Sequence, residues 1–142
     1  MAHFAELDSD NTVMRVIVIS NNDLIGPDGT ENEEVGIAFC RELCGADTNW
    51  KQTSYNGNIR GRYAGRGMFY NETLDAFIAE KPYASWVLDS TTKDWISPLG
   101  AEPERSEDMI TAKQYYEWDE DAYQADTSDP KTAGWVLKTE TT

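Results

Sequence analysis

A short pattern recurs along this chain and narrows the folds open to it. Tyr70-Asn71-Glu72-Thr73-Leu74-Asp75-Ala76-Phe77-Ile78 lies over Leu88-Asp89-Ser90-Thr91-Thr92-Lys93-Asp94-Trp95-Ile96. In each copy an Asn or Asp opens a turn, and an aromatic–isoleucine pair follows six residues later. Trp118-Asp119-Glu120-Asp121 begins a third copy, closed by Gly134-Trp135-Val136-Leu137 after an insertion at 122–133. Leu7-Asp8-Ser9-Asp10-Asn11 resembles them loosely. Asx side chains seed turns and aromatic residues pair across strands, so each copy predicts a β-hairpin. An isolated hairpin is only marginally stable, so the copies must share a sheet or dock on something else.

The chain before the repeat fits the same scheme. His3 to Leu7 alternates, Asp8-Ser9-Asp10-Asn11 is turn chemistry, and Thr12 to Ile19 is a β-branched run, together a first hairpin. Asn21-Asn22-Asp23 and Gly26-Pro27-Asp28-Gly29 then break the chain. Residues 32–44 predict a helix. Thr30 and Glu33 are spaced as a capping box, Val35, Phe39 and Leu43 fall on one stripe with Ala38, and Gly45 sits at the C-terminal cap. Cys40 and Cys44 lie on a neighbouring stripe, read as small core-facing or half-buried residues rather than a metal pair.

Ser97 to Lys113 carries two prolines, Gly100 and an acidic cluster from Glu102 to Asp108, the texture of a linker. The expected organisation is a hairpin-rich core at 1–97 with one helix, an acidic linker at 98–113, and a C-terminal β-hairpin arm at 114–142. The fold class expected is α+β, an antiparallel hairpin-built sheet with the helix packed on it.

Charge narrows the partners. Lys and Arg number 12 against 26 Asp and Glu, a net charge of −14 in 142 residues, which repels phosphate backbones and anionic headgroups. The imbalance is uneven: residues 1–50 carry 2 basic and 10 acidic side chains (−8), 51–100 carry 6 and 5 (+1), and 101–142 carry 4 and 11 (−7). The middle third is therefore the surface suited to an anion or an acidic partner. No apolar run approaches the ~20 residues of a membrane span, and no secretory core follows Met1 because Glu6, Asp8 and Asp10 intervene. Neither nucleic acid nor a membrane is expected as a partner.

A single histidine, His3, and two cysteines leave little for hydrolase or metalloenzyme chemistry. No catalytic residue, metal site or cofactor is expected, and the protein is read as a non-enzyme. Asp8 to Asn11 lacks the glycine and the glutamate of a calcium loop. Asp119, Asp121, Asp126 and Asp129 could form a loose oxygen site, but solvated turn residues are the better reading.

Two groups remain as partner-binding candidates. Arg60, Arg62 and Arg66 cluster among Gly57, Gly61, Gly65 and Gly67, flanked by Tyr55 and Tyr63. Planar guanidiniums on such a loop can clamp carboxylates on a partner, or neutralise acidic segments of their own chain. The loop lacks the P-loop pattern and carries no nucleophile. Trp86, Trp95, Trp118 and Trp135 sit in hairpin arms, where they either pack across strands or offer flat contact surface to a sugar or protein.

Several blocks taken together resemble a known family. Met1-Ala2-His3-Phe4-Ala5-Glu6-Leu7-Asp8, Trp50-Lys51-Gln52-Thr53-Ser54-Tyr55-Asn56-Gly57-Asn58-Ile59-Arg60 and Tyr63-Ala64-Gly65 are similar to small proteins encoded by cyanophages and related marine tailed phages. Asp75-Ala76-Phe77-Ile78, Lys81-Pro82-Tyr83 and Ser85-Trp86-Val87-Leu88-Asp89 continue the likeness, which covers about residues 1–96 and departs after Pro98. The resemblance implies a virion component and brings no catalytic residues with it. The expectation is a structural or accessory protein of a phage particle, docking on capsid, neck or tail subunits or neighbouring copies of itself, with capsid decoration preferred. The alternative is a host-glycan or receptor-binding module on a tail fibre or tail tip.

Overall fold

Strands β1 (Ala2–Leu7) and β2 (Val13–Ile19) form the first hairpin, and β3 (Asn49–Thr53) pairs with the other edge of β1. All pairings are antiparallel: Phe4 faces Ile17 and Gln52, and Ala5 faces Val16 and Lys51. The computed structural model that carries these elements describes residues 1–141. Successive side chains of a strand point to opposite faces. Ala2 and Phe4 accordingly enter a cluster with Ile19, Leu24, Ile37, Cys40 and Trp50, while Ala5 and Leu7 enter a second with Val13, Ala64, Tyr70 and Phe77. β1 is thus buried on both faces, the position expected of a central strand covered above and below. The intervening turn is local chemistry: Asp8 Oδ1 accepts from the N–H groups of Asp10 (2.8 Å) and Thr12 (3.0 Å), and Asn11 takes φ 64°.

Helix α1 (Glu33–Cys44) covers the first face. Its cap is Asn32, whose carboxamide accepts from Glu34 N–H (2.8 Å) and Val35 N–H (3.4 Å), so the expected Thr30–Glu33 box does not form. Thr30 instead donates its hydroxyl to Asp28. The buried line is Gly36, Ile37 and Cys40, and Leu43, expected on the core stripe, is 65% exposed. The physical reason is Gly36. A Cβ there would lie 2.4 Å from Phe4 Cζ, so the helix meets the sheet along its glycine rather than along its bulkiest side chains. Phe39 and Cys44 are half-buried against the same cluster.

Strands β4 (Phe69–Asn71) and β5 (Ala76–Ile78) form a hairpin over the second face. Backbone bonds fasten it to the first hairpin: Tyr70 N–H donates to Asn11 C=O, and Val13 N–H to Met68 C=O, both at 2.8 Å. Asn71 Oδ1 accepts from Leu74 N–H at 3.0 Å, the Asx turn expected of the repeat.

The chain comprises two units: Met1–Glu80 with Ser90–Asp94, and Lys81–Asp89 with the chain from Trp95 onward. The second contains β6 (Val87–Leu88), β7 (Trp95–Ile96), α2 (Glu107–Thr111), β8 (Gln114–Trp118), α3 (Glu120–Ala125) and β9 (Trp135–Thr139). Its hairpins keep the repeat's register. Leu88 pairs with Trp95 as Tyr70 pairs with Phe77, and Lys93 takes φ 61° at the repeat position where Asp75 takes φ 47°. Trp118 opposite Trp135 closes the third copy. The class is α+β, built from antiparallel hairpins, with the strands distributed over one three-stranded and three two-stranded sheets.

The boundary differs from the expected one at 97/98. Segment 98–113 and the C-terminal strand pair share a unit with Lys81–Asp89, because the Trp86 ring packs on Trp118 and Trp135 at 5.7 and 5.9 Å. The expected linker contains α2, capped by Ser106 Oγ, and Arg105 ties it to Gln114 C=O at 3.1 Å. The insertion of the third repeat begins with α3, capped by Asp119, whose Oδ1 accepts from Ala122 N–H at 2.9 Å.

Candidate functional site

The arginine loop is largely spent inside the first unit. Arg60 Nη2 and Nη1 donate to the two carboxylate oxygens of Glu33, Nη1 also reaches Gln52 C=O (2.8 Å), and Nε donates to Asp75 Oδ1 (2.8 Å). Its side chain is 13% exposed, which leaves little to offer a partner. Burial alone would raise the Glu33 pKa, but hydrogen bonds from Arg60 and the Gln52 N–H outweigh it and hold the carboxyl below its ordinary range. Asp75 is lowered chiefly by the Tyr70 hydroxyl, which donates to Oδ1 at 2.6 Å. Arg62 pairs with Asp94 and donates to Lys93 C=O. Arg66 is exposed and makes no ion pair among the described residues. Of the three arginines it alone is both exposed and without an ion pair among the described residues.

The first unit offers a different surface. The sheet order leaves β2 at one edge, and beyond the bonds of Val13 to Gly67 and Met68 no second strand pairs with it among the described residues. The opposite edge is blocked, because Gln52 N–H donates to Glu33 and Gln52 C=O accepts from Arg60. Met14 and Val18 on the open strand are each 49% exposed. Val18 stands opposite His3, whose ring lies 5.5 Å from Tyr63, and Tyr63 lies 5.5 Å from Tyr55. Tyr55 is 78% exposed. Three aromatic rings thus cluster at His3 of the central strand and just past the end of β3, next to a cavity of about 290 Å³ lined by Met1, His3, Gln52, Ser54 and Tyr55 among others.

In the second unit the tryptophans form the core. Trp86, Trp118 and Trp135 are mutually T-shaped at 5.2–5.9 Å, with Tyr83 on Trp86 and Tyr123 on Trp118. Trp118 is buried, and the other two are half-buried. Among the described residues the buried Trp86 and Trp135 N–H groups meet no oxygen acceptor, and edge-to-face indoles are the arrangement in which a neighbouring ring serves as a weak one. Glu120 locks the cluster in place. Its carboxylate accepts from Ser85 N–H and Oγ, Trp118 Nε1 and Gln124 Nε2, and these bonds lower its pKa to about 2. Trp86, Trp95 and Trp135 also line a cavity of about 400 Å³ with Ile96, Ser97 and Glu102.

The acidic loop is explained by turns and caps. Asp119 caps α3, and Asp126 accepts from Ser128, Thr132 and Ala133, which depresses its pKa. Among the described residues no three His, Cys, Asp or Glu side chains converge as metal ligands would.

Sequence reasoning missed Glu33 as the partner of Arg60, Glu120 as the tie between Ser85 and Trp118, and Glu102 as a cavity wall. Asp119-Glu120-Asp121 followed by Ala122-Tyr123-Gln124-Ala125 carries a helix-start signal that marks Glu120. Nothing local marks Glu33 for Arg60, because the pair meets only through β3. No family model matches the chain, and no curated protein or solved structure is significantly similar to it.

Proposed function

We propose that this protein is a non-enzymatic structural or accessory component of a tailed-phage virion, docking on other virion subunits, with capsid decoration its preferred place. The observation that carries the docking part is the open edge of β2. Its unpaired backbone groups, with Met14 and Val18 half-exposed, suit the addition of a partner strand. His3, paired with Val18, extends this face inward to the Tyr63 and Tyr55 rings, the aromatic contact that interface centres favour. The C-terminal strands β8 and β9 form a two-stranded sheet and add further edges. With a net charge of −14, the edge favours a basic or neutral partner over a second copy of this chain.

The virion setting rests on the sequence resemblance over residues 1–96. A glycan-binding module on a tail fibre has less support, because Trp118 is buried and the cavity lined by Trp86, Trp95 and Trp135 offers few hydrogen-bonding groups to sugar hydroxyls.

The test is to purify intact particles by density gradient, identify the chain by mass spectrometry, and place it with labelled antibody under the electron microscope. Signal over the head at stoichiometric level is the expected result, and signal confined to neck, tail or fibres would move the docking site there. Absence from clean particles overturns the virion reading. Particles assembled with a Met14→Lys/Val18→Lys variant, whose melting curve matches the parent, should lose the protein. Undiminished attachment would sink the β2 edge as the docking surface.

A further inference from the structure

We infer that the cavity of about 400 Å³ between Trp86, Trp95 and Trp135 is a binding site for a small organic cation with an apolar periphery, of the quaternary ammonium class. The inference concerns the second unit alone and does not depend on the virion reading.

The walls decide the class of ligand. Three indole rings and Ile96 make most of the lining apolar. Glu102 is the only ionisable residue in it, exposed and without an ion pair among the described residues. Ser97 already donates its hydroxyl to Gly100 C=O. A polyol would therefore find few hydrogen-bond partners here. An anion would meet Glu102 and the field of a chain at −14. A neutral hydrocarbon would be accepted by the rings but would leave the carboxylate unused. A methylated ammonium satisfies both features, since its positive charge is spread over an apolar shell that indole faces attract, and a carboxylate balances it.

The unit's own lysines make the same contact. Lys81 Nζ lies 5.4 Å from the centre of the Trp95 ring, and Lys131 Nζ lies 4.5 Å from that of Tyr123. Lys81 is not part of the cavity lining, so its charge does not occupy the site.

The experiment uses the full chain at matched ionic strength. Tryptophan fluorescence and calorimetry follow titration with tetramethylammonium, choline, the uncharged choline isostere 3,3-dimethyl-1-butanol, and N-acetylglucosamine oligomers. Saturable binding of the two cations is expected, with the isostere at least tenfold weaker. Glu102→Gln, a surface change that leaves the fold intact by its circular dichroism and melting curve, should weaken choline about tenfold. Trp95→Ala should abolish binding. Equal affinity for choline and its isostere, saturation by the oligosaccharides alone, or no saturable signal with either cation would each overturn the assignment.

Discussion

Gly36 lies so close under the ring of Phe4 that a Cβ on it would stand 2.4 Å from Cζ. That contact seats α1 on the sheet and selects which face of the helix is buried. Gly134 stands in the same relation to Trp118 in the second unit, at 2.5 Å. Each unit therefore has an aromatic ring pressed onto a glycine, and neither glycine has a positive φ. They are kept for space, not for turn geometry.

Gly36→Ala should destabilise the first unit. The methyl improves helix propensity by roughly 1 kcal/mol, but the overpacking against a buried ring costs about 1–3 kcal/mol. A net loss of up to about 2 kcal/mol in chemical denaturation is expected, and part of it should return when Phe4→Leu relieves the clash. A variant as stable as the parent would show that the ring has room to move.

Removing Arg60 should cost more than removing Arg66. Arg60→Ala leaves the Glu33 carboxylate half-buried with only the Gln52 N–H, and about 3 kcal/mol is the expected loss. Arg66→Ala, at an exposed position without an ion pair among the described residues, should change stability by less than about 0.5 kcal/mol. Equal effects in urea unfolding would contradict the internal role of Arg60.

Cys40 should be nearly inert to alkylation in the folded protein. It is fully buried, and burial first, then the neighbouring Cys44, raises its thiol pKa from 9.0 to about 11. At pH 8 the thiolate fraction falls about 100-fold on that account alone. Timed iodoacetamide labelling with peptide mapping should find Cys40 modified only after denaturant is added. Rapid labelling of Cys40 in the native protein would refute its placement on the buried face of α1.

Acid should loosen both units through carboxylates whose folded pKa is depressed. Glu120, at about 2 in the fold against 4.5 ordinarily, contributes stability that is complete above 4.5 and is lost as the pH falls toward 2. Glu33 acts in the same sense in the first unit. Melting temperature measured from pH 6 to pH 2 should fall below about 4.5, and Glu120→Gln should flatten that fall for the tryptophan fluorescence signal. A slope unchanged by the substitution would assign the acid sensitivity elsewhere.

The hairpins were legible in the residues, because their causes are local. The Asx turn at Asn71, the aromatic–isoleucine pairs and the β-branched run of β2 act over a few residues, and the left-handed positions Asp75 and Lys93 fall at the same place in the repeat. The extent of α1 was legible to within a residue for the same reason. Which residues the helix buries was not, because Gly36 acquires its role only when Phe4 arrives from another strand. Arg60 posed the same difficulty: a guanidinium serves its own chain or a partner according to what stands beside it, and Glu33 is brought there by the route of the chain through β3. The expected arm became part of a unit because Trp86, Trp118 and Trp135 meet, and ring stacking between distant segments leaves no trace in their spacing. Local hydrogen bonding and strand propensity are written residue by residue. Close approach, ion pairing and cavities belong to pairs of surfaces, which meet only once the chain has folded.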